Sequence, residues 1–205
     1  MYYKTVFRLT EDAKNEVLNY YKGIWNNNFE HRLEFLPHKW LSSLAGIEIT
    51  KFLSTFKLST YYTGINVFLS NTTQNTYTNP HVDILHKSKL LPIFTRFNIK
   101  CQGDDDIMYW WNDCKWGSDK LIKKNFTSYS GINYESLAIP GESIPERYKF
   151  LGNPTMSISN VLTPSAFVNT EFAHALYIPK GPRIVLSVGF NYTFHNILDK
   201  IHAAI

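Results

Sequence analysis

A mainly β protein with flanking helices is the fold class this sequence predicts, and three observations predict it. Across residues 61–190 the chain breaks into short apolar runs separated by Asn, Asp, Gly and Pro clusters, the pattern of a β-barrel or sandwich. Residues 1–60 instead carry apolar side chains at helical spacing, and residues 194–205, FHNILDKIHAAI, form one more amphipathic segment. The 205 residues are 44% hydrophobic and 16% aromatic with 19% charged, enough to fill the core of one domain, which is expected to span 1–205.

The run YYKTVFRL at residues 2–9 predicts a first strand. Thr10 then caps a helix with Glu11 and Asp12 in its first turn, where the helix dipole favours anions, and Val17, Leu18, Tyr20, Tyr21 and Trp25 give it an apolar face. A second helical zone covers 39–57, with Trp40, Leu41, Leu44, Ile49, Phe52 and Leu53 among its apolar residues and a break expected near Gly46. These helices are read as support for a β core over 61–190. Its strands are predicted in TGINVFLS, FTRFNIK, DIMYWW, ERYKFLG, SISNVLT, HALYIP and RIVLSVGF, with 115–145 as a loop insertion. In the final helix Phe194, Ile197, Leu198 and Ile201 are placed to lie back on the sheet.

Chemistry enters with NPHVDILH. Strand alternation puts positions i and i+2 on one face, so His81 and Asp83 point the same way while Val82 points the other. A third candidate ligand, His174, follows in FVNTEFAHALYIP, and Arg183 opens the late strand RIVLSVGF with Val185 and Ser187 on its own face. Two imidazoles and one carboxylate suit Fe(II), which they bind on one face of an octahedron, leaving three positions for a bidentate ligand and O2. A 2-oxo acid chelating there needs its distal carboxylate neutralised, and the planar fork of a guanidinium does this well. Arg183 is the candidate partner.

The ordered set resembles the Fe(II)/2-oxoglutarate-dependent oxygenases, particularly their small phage and bacterial members. The resemblance is carried by NPHVD, RFNIK, IMYWW and FVNTEFAHALYIPKGPRIVLSVGF, with Asn169-Thr170 ahead of the distal histidine, and covers roughly residues 81–190. It implies a double-stranded β-helix, the jelly roll also found in cupins, with iron at its open mouth. It further implies that His81, Asp83 and His174 bind Fe(II), that Arg183 pairs with the distal carboxylate of 2-oxoglutarate, and that Asn98 hydrogen-bonds this cosubstrate. The family's hydroxyl often stands two residues past the arginine; that place is Val185 here, and Ser187 is the nearest hydroxyl on the same face. Tyr109 is a further candidate carboxylate partner, although alternation sends only one of Tyr109 and Trp110 inward. The implied activity is that of a dioxygenase, a hydroxylase consuming O2.

Other features have simpler readings. Trp110, Trp111 and Tyr109 line a pocket or fill the core, and Arg96 is a substrate contact or a surface charge. Asp104, Asp105 and Asp106 after Gly103 read as a solvated hairpin turn ahead of a calcium or magnesium site, and His86 as a solvated loop residue. The net charge of +4 is spread without a basic block, so nucleic acid is not indicated as a partner. Cys101 and Cys114 fit no zinc or disulfide framework, and no apolar stretch suits a signal peptide or membrane span; a soluble, cytoplasmic protein is expected. Two rival readings stand beside the oxygenase: a catalytically inactive jelly-roll binding module, and a cupin-type metalloenzyme that works without 2-oxoglutarate. The primary substrate, whether amino acid, peptide, nucleobase or small metabolite, depends on loops such as 71–78 and 115–145.

Overall fold

The computed structural model describes every residue except 1, 23–30, 36–37, 61–64, 71–74, 87–89, 104–105, 128–132 and 180, and describes backbone alone at 31–35, 38–39, 84–86, 90–91, 126–127 and 133–136. The chain begins with β1 (Tyr2–Thr5), α1 (Glu11–Lys22), β2 (His31–Phe35), a 3-10 turn (His38–Ser42) and α2 (Leu44–Ser54). Strands β3 (Ile65–Ser70), β4 (Thr76–Tyr77), β5 (Ile84–His86), β6 (Leu90–Pro92), β7 (Thr95–Gln102), β8 (Ile107–Lys115), β9 (Ile122–Thr127) and β10 (Asn133–Ala138) follow. Helix α3 (Ile144–Leu151), β11 (Met156–Ser159), β12 (Ser165–Asn169), β13 (Phe172–Ile178), β14 (Arg183–Phe190) and α4 (Phe194–His202) complete it.

The fold is mainly β, with antiparallel sheets and four α-helices among the described residues. The larger sheet runs β1-β12-β7-β14-β3-β2 and the smaller β11-β8-β13-β4, while β9 with β10 and β5 with β6 form separate ribbons. Alternation divides the larger sheet into two faces with different tasks. Ile184, Leu186, Val188 and Phe190 of β14, with Phe97, Ile99 and Cys101 of β7, pack against Ala13 and Val17 of α1, Ile49 and Leu53 of α2, and Ile197 and Ile201 of α4. The opposite face meets the smaller sheet, where Met108 and Trp110 of β8 lie against Ala166 and Val168 of β12 and Val185 of β14. Such a sandwich keeps every residue of β14 buried, so the polar members of its inner face need partners inside the protein.

Several local expectations are corrected. ERYKFLG is not a strand but most of α3, because Ser143 and Glu146 make a capping box and Pro145 sits in the first turn, where its missing N–H costs nothing. The stretch 115–145 is not a bare loop: it contains β9 and β10, paired from Ile122↔Ala138 to Thr127↔Asn133. β12 was not foreseen as a strand; it places Ala166, Phe167 and Val168 fully inside. The break in the second helical zone falls at Ser43, whose Oγ accepts from the Gly46 N–H at 3.0 Å, and Gly46 lies inside α2. A Cβ on Gly46 would sit 2.1 Å from the Trp40 carbonyl oxygen, so the 3-10 turn can fold this tightly onto the helix only over a glycine. Gly46→Ala is therefore expected to cost about 1–3 kcal/mol by overpacking. Urea denaturation checks this; an unchanged midpoint would refute the close approach.

The predicted N- and C-terminal helices are present. Thr10 Oγ1 accepts from the Ala13 N–H at 3.3 Å, and Ile197 and Ile201 are buried. Trp25, Tyr61 and Tyr62 lie outside the described residues. Among the described residues no helix is long and apolar enough to cross a membrane.

Candidate metal centre

The segment that carries His81 runs antiparallel to β13 along the edge of the smaller sheet. Tyr77 pairs with Tyr177, the Thr78 N–H donates to the Leu176 carbonyl at 2.7 Å, and His81 and His174 exchange backbone hydrogen bonds of 3.0 and 2.9 Å. This ladder sets the two imidazoles side by side, with ring centroids 4.5 Å apart. Val82 turns away into the cluster of Trp111 and Cys114, and Asp83 returns to the cavity, as alternation predicts. Asp83 Oδ1 lies 3.5 Å from His81 Nε2, and Oδ2 lies 3.9 Å from His174 Nε2. One ligand atom from each of the three residues falls within 4.8 Å of the others.

Both imidazoles have the tautomer a metal needs. His81 Nδ1 lies 2.8 Å from the Asn79 carbonyl oxygen and His174 Nδ1 lies 2.9 Å from that of Phe172. A carbonyl only accepts, so each Nδ1 carries a proton and each Nε2 is the ring atom left facing Asp83, with a free lone pair on His174 and, whenever His81 is protonated, an N–H that donates to the carboxylate. Burial, together with the neighbouring charge of His81 and despite Asp83, lowers the pKa of His174 to about 4, which leaves it neutral at pH 7. His81 sits at the rim with 45% of its side-chain surface in solvent, which limits how far burial can act. Burial works against its protonation, but the hydrogen bond and charge of Asp83 and the Asn79 carbonyl outweigh it and raise its pKa. Burial likewise pushes Asp83 up, yet the Arg96 guanidinium and the two histidines hold its carboxyl far below the usual range.

The three residues open onto a cavity of about 270 Å³ between the two sheets, walled by Phe68, Met108, Leu162, Leu176 and Val185. Its polar floor comes from the inner face of the larger sheet. Arg96 and Asn98 on β7 and Arg183 on β14 all line it. Arg96, left open between a contact and a surface charge, is only 5% exposed and donates from Nε to Asp83 Oδ2 at 2.5 Å. Its Nη1 donates to Ser187 Oγ at 3.2 Å, so the serine serves Arg96 and not Arg183.

Arg183 stands where the sequence placed it, at the cavity, but it already has an anion. Its Nε donates to Asp106 Oδ2 at 2.8 Å, while Lys100 Nζ reaches Asp106 Oδ1 at 3.2 Å. Asp106 is completely buried, which corrects the solvated-turn reading for this residue; Asp104 and Asp105 lie outside the described residues. Gly103, at φ +121°, gives the turn the room it needs, since a Cβ there would press within 3.1 Å of the Arg183 side chain. Arg183 Nη2 and Asn98 Oδ1 remain buried without hydrogen-bond partners among the described residues. Two such groups beside one cavity can be satisfied by a polar ligand or by ordered water.

Tyr109 does not join them. It lies on the opposite face of β8 from Trp110, against Tyr77, with Tyr148 and Tyr177 nearby, because adjacent strand residues point opposite ways. Trp110 takes the inward place and donates from Nε1 to the Asn169 carbonyl at 2.9 Å, while Thr170 Oγ1 donates to the Ile93 carbonyl. Asn169 and Thr170 thus brace the entry to β13. The His86 side chain lies outside the described residues. Of the residues that sequence reasoning left unassigned, Arg96 had a readable signal: it shares a strand face with Asn98, two positions away. Asp106 had none, since its pairing with Arg183 joins residues remote in the chain and Lys100 alone does not announce a buried carboxylate. No protein-family model and no curated protein matches this chain.

Proposed function

We propose that the protein is a non-haem Fe(II)- and 2-oxoglutarate-dependent dioxygenase, acting as a hydroxylase on a jelly-roll scaffold of one domain in the cytoplasm. The observation that carries this reading is the convergence of His81 Nε2, His174 Nε2 and the Asp83 carboxylate within 4.8 Å at a cavity, with both Nδ1 atoms tied to carbonyls. Two neutral imidazoles and one carboxylate are the donor set of the facial triad. His81, Asp83 and His174 would hold the iron, and iron chelated by 2-oxoglutarate supplies the O2-dependent oxidation of a C–H bond, with succinate and carbon dioxide as co-products.

The chain's own residues bind, orient and exclude water. Arg96 fixes Asp83 from Oδ2, leaving Oδ1 on the side of His81. Arg183 Nη2 offers a charged donor to a distal carboxylate, and Asn98 adds an amide that rotates to give either a donor or an acceptor. Phe68, Met108, Leu162, Leu176 and Val185 give the cavity apolar walls, which lower the local dielectric and strengthen each of these polar contacts.

A second reading is favoured by one specific contact. Asp106 already answers the Arg183 charge, as it would in a cupin-type metalloenzyme without 2-oxoglutarate. Anaerobic titration with Fe(II) and 2-oxoglutarate separates the two. The proposal expects a charge-transfer band near about 500 nm from a bidentate 2-oxo acid on a facial-triad iron. In Arg183→Ala the same band should need at least ~10-fold more 2-oxoglutarate, as a lost charge-assisted hydrogen bond implies. Iron binding without a band would favour the second reading, and absence of iron binding would favour a binding module.

A further inference from the structure

Resting on the reading of His81, Asp83 and His174 as a metal site, we infer that Arg96 makes this site conditional: it holds a divalent ion firmly only together with an anionic chelating ligand. The carboxylate that should attract the ion is already matched by a cation. Arg96 Nε meets Asp83 Oδ2 at 2.5 Å with side chains only 6% and 7% exposed. The guanidinium is held in place as well as close by, through Nη1 to Ser187 Oγ at 3.2 Å and through the Phe68 ring 5.1 Å beneath Cζ. Both contacts oppose its swinging away when an ion arrives.

The wider charge pattern repeats the arrangement. Asp106 is shared between Arg183 and Lys100, so Asp106, like Asp83, already has a cationic partner, and Arg183 adds a second guanidinium to the cavity lining. A divalent ion added to two neutral imidazoles and a matched carboxylate leaves an excess of positive charge in a poorly solvated cavity. Coulomb repulsion between the ion and a guanidinium bound to the same carboxylate is only partly screened there. A dianionic chelator removes most of the excess, so ion and chelator each raise the other's affinity, as linkage requires. The arrangement separates this site from one whose carboxylate is free, where the ion alone would bind well. Arg96 is a positioning residue in this scheme, acting on the ion through Asp83.

Equilibrium dialysis with Mn(II), a redox-stable stand-in for Fe(II), reads the coupling directly at fixed free Mn(II). The expected result for the unaltered protein is affinity at least ~10-fold higher with oxalate than without. Oxalate, glycolate and glycolamide chelate through similar oxygen pairs with charges of about −2, −1 and 0, and the enhancement should fall in that order. Arg96→Gln should bind Mn(II) alone at least ~10-fold more tightly than the parent and lose most of the oxalate enhancement, while Arg96→Lys restores both. Equal enhancement by the three chelators, after allowing for their own affinity for Mn(II), would overturn the inference without any variant. So would a folded Arg96→Gln that binds Mn(II) alone no better than the parent, since Arg96 would then only orient Asp83. Both of those outcomes leave the metal site standing. The absence of Mn(II) binding that His174→Ala removes would instead overturn the metal-site reading, and this inference with it.

Discussion

His174→Ala is expected to lower metal affinity by more than ~100-fold, beyond the 10–100-fold that loss of an outer-shell partner costs, because it removes a proposed ligand itself. The ring it deletes is neutral at pH 7 and already held in its tautomer by the Phe172 carbonyl, so no rotamer search or proton loss stands between it and an ion. The fold should survive the change. β13 keeps its pairing with β8, and the two backbone hydrogen bonds to His81 do not involve the side chain. Metal titration with circular dichroism checks both parts. Affinity unchanged in a folded variant would remove His174 from the site.

Asp106→Ala is expected to cost about 3–5 kcal/mol, the range for breaking a buried ion pair from one side. Its carboxylate is fully buried and answers two cations, Arg183 and Lys100, whose side chains are 3% and 6% exposed. Removing it leaves the Arg183 Nε without its anion in the interior and takes one partner from Lys100, against a total stability of about 5–15 kcal/mol for a domain of ordinary size. Asp106→Asn retains an acceptor and should cost less, about 1–3 kcal/mol. Urea denaturation decides the matter: a loss below about 0.5 kcal/mol for the alanine variant would mean a solvated turn after all.

The contrast between Asp83 and Asp106 shows what sequence carries and what it does not. Asp83 was legible because alternation, a local rule, places it beside His81, and the pattern recurs with His174 on a strand whose apolar alternation is plain. Asp106 was misread because its burial depends on β14 lying beside β7, with Ile184 opposite Gln102, a register no local pattern announces. The same division runs through the fold. β3, β7, β8, β13 and β14 are apolar enough to be read directly. The β9–β10 ribbon is largely polar in sequence, so it lacks the hydrophobic signal on which strand prediction depends. Helix α3 was misread for a different reason: Ser143, Pro145 and Glu146 spell a capping box, and the aromatic content of ERYKFLG was given more weight than that signal.

The backbone ladder between His81 and His174 has a consequence for motion. His81 belongs to the outermost segment of the smaller sheet, and a sheet margin is where local opening costs least. An ion held by His81, Asp83 and His174 would act as a cross-link between that margin and the interior strand β13. Opening the margin would then require releasing the ion as well as its hydrogen bonds. Amide exchange at Thr78 and His81, whose N–H groups donate to Leu176 and His174, should accordingly slow when metal and an anionic chelator are added together while exchange in the helices stays unchanged. The mouth of the cavity would be loose when empty and rigid when loaded, so the rim of the site takes its final form only once the ion is bound.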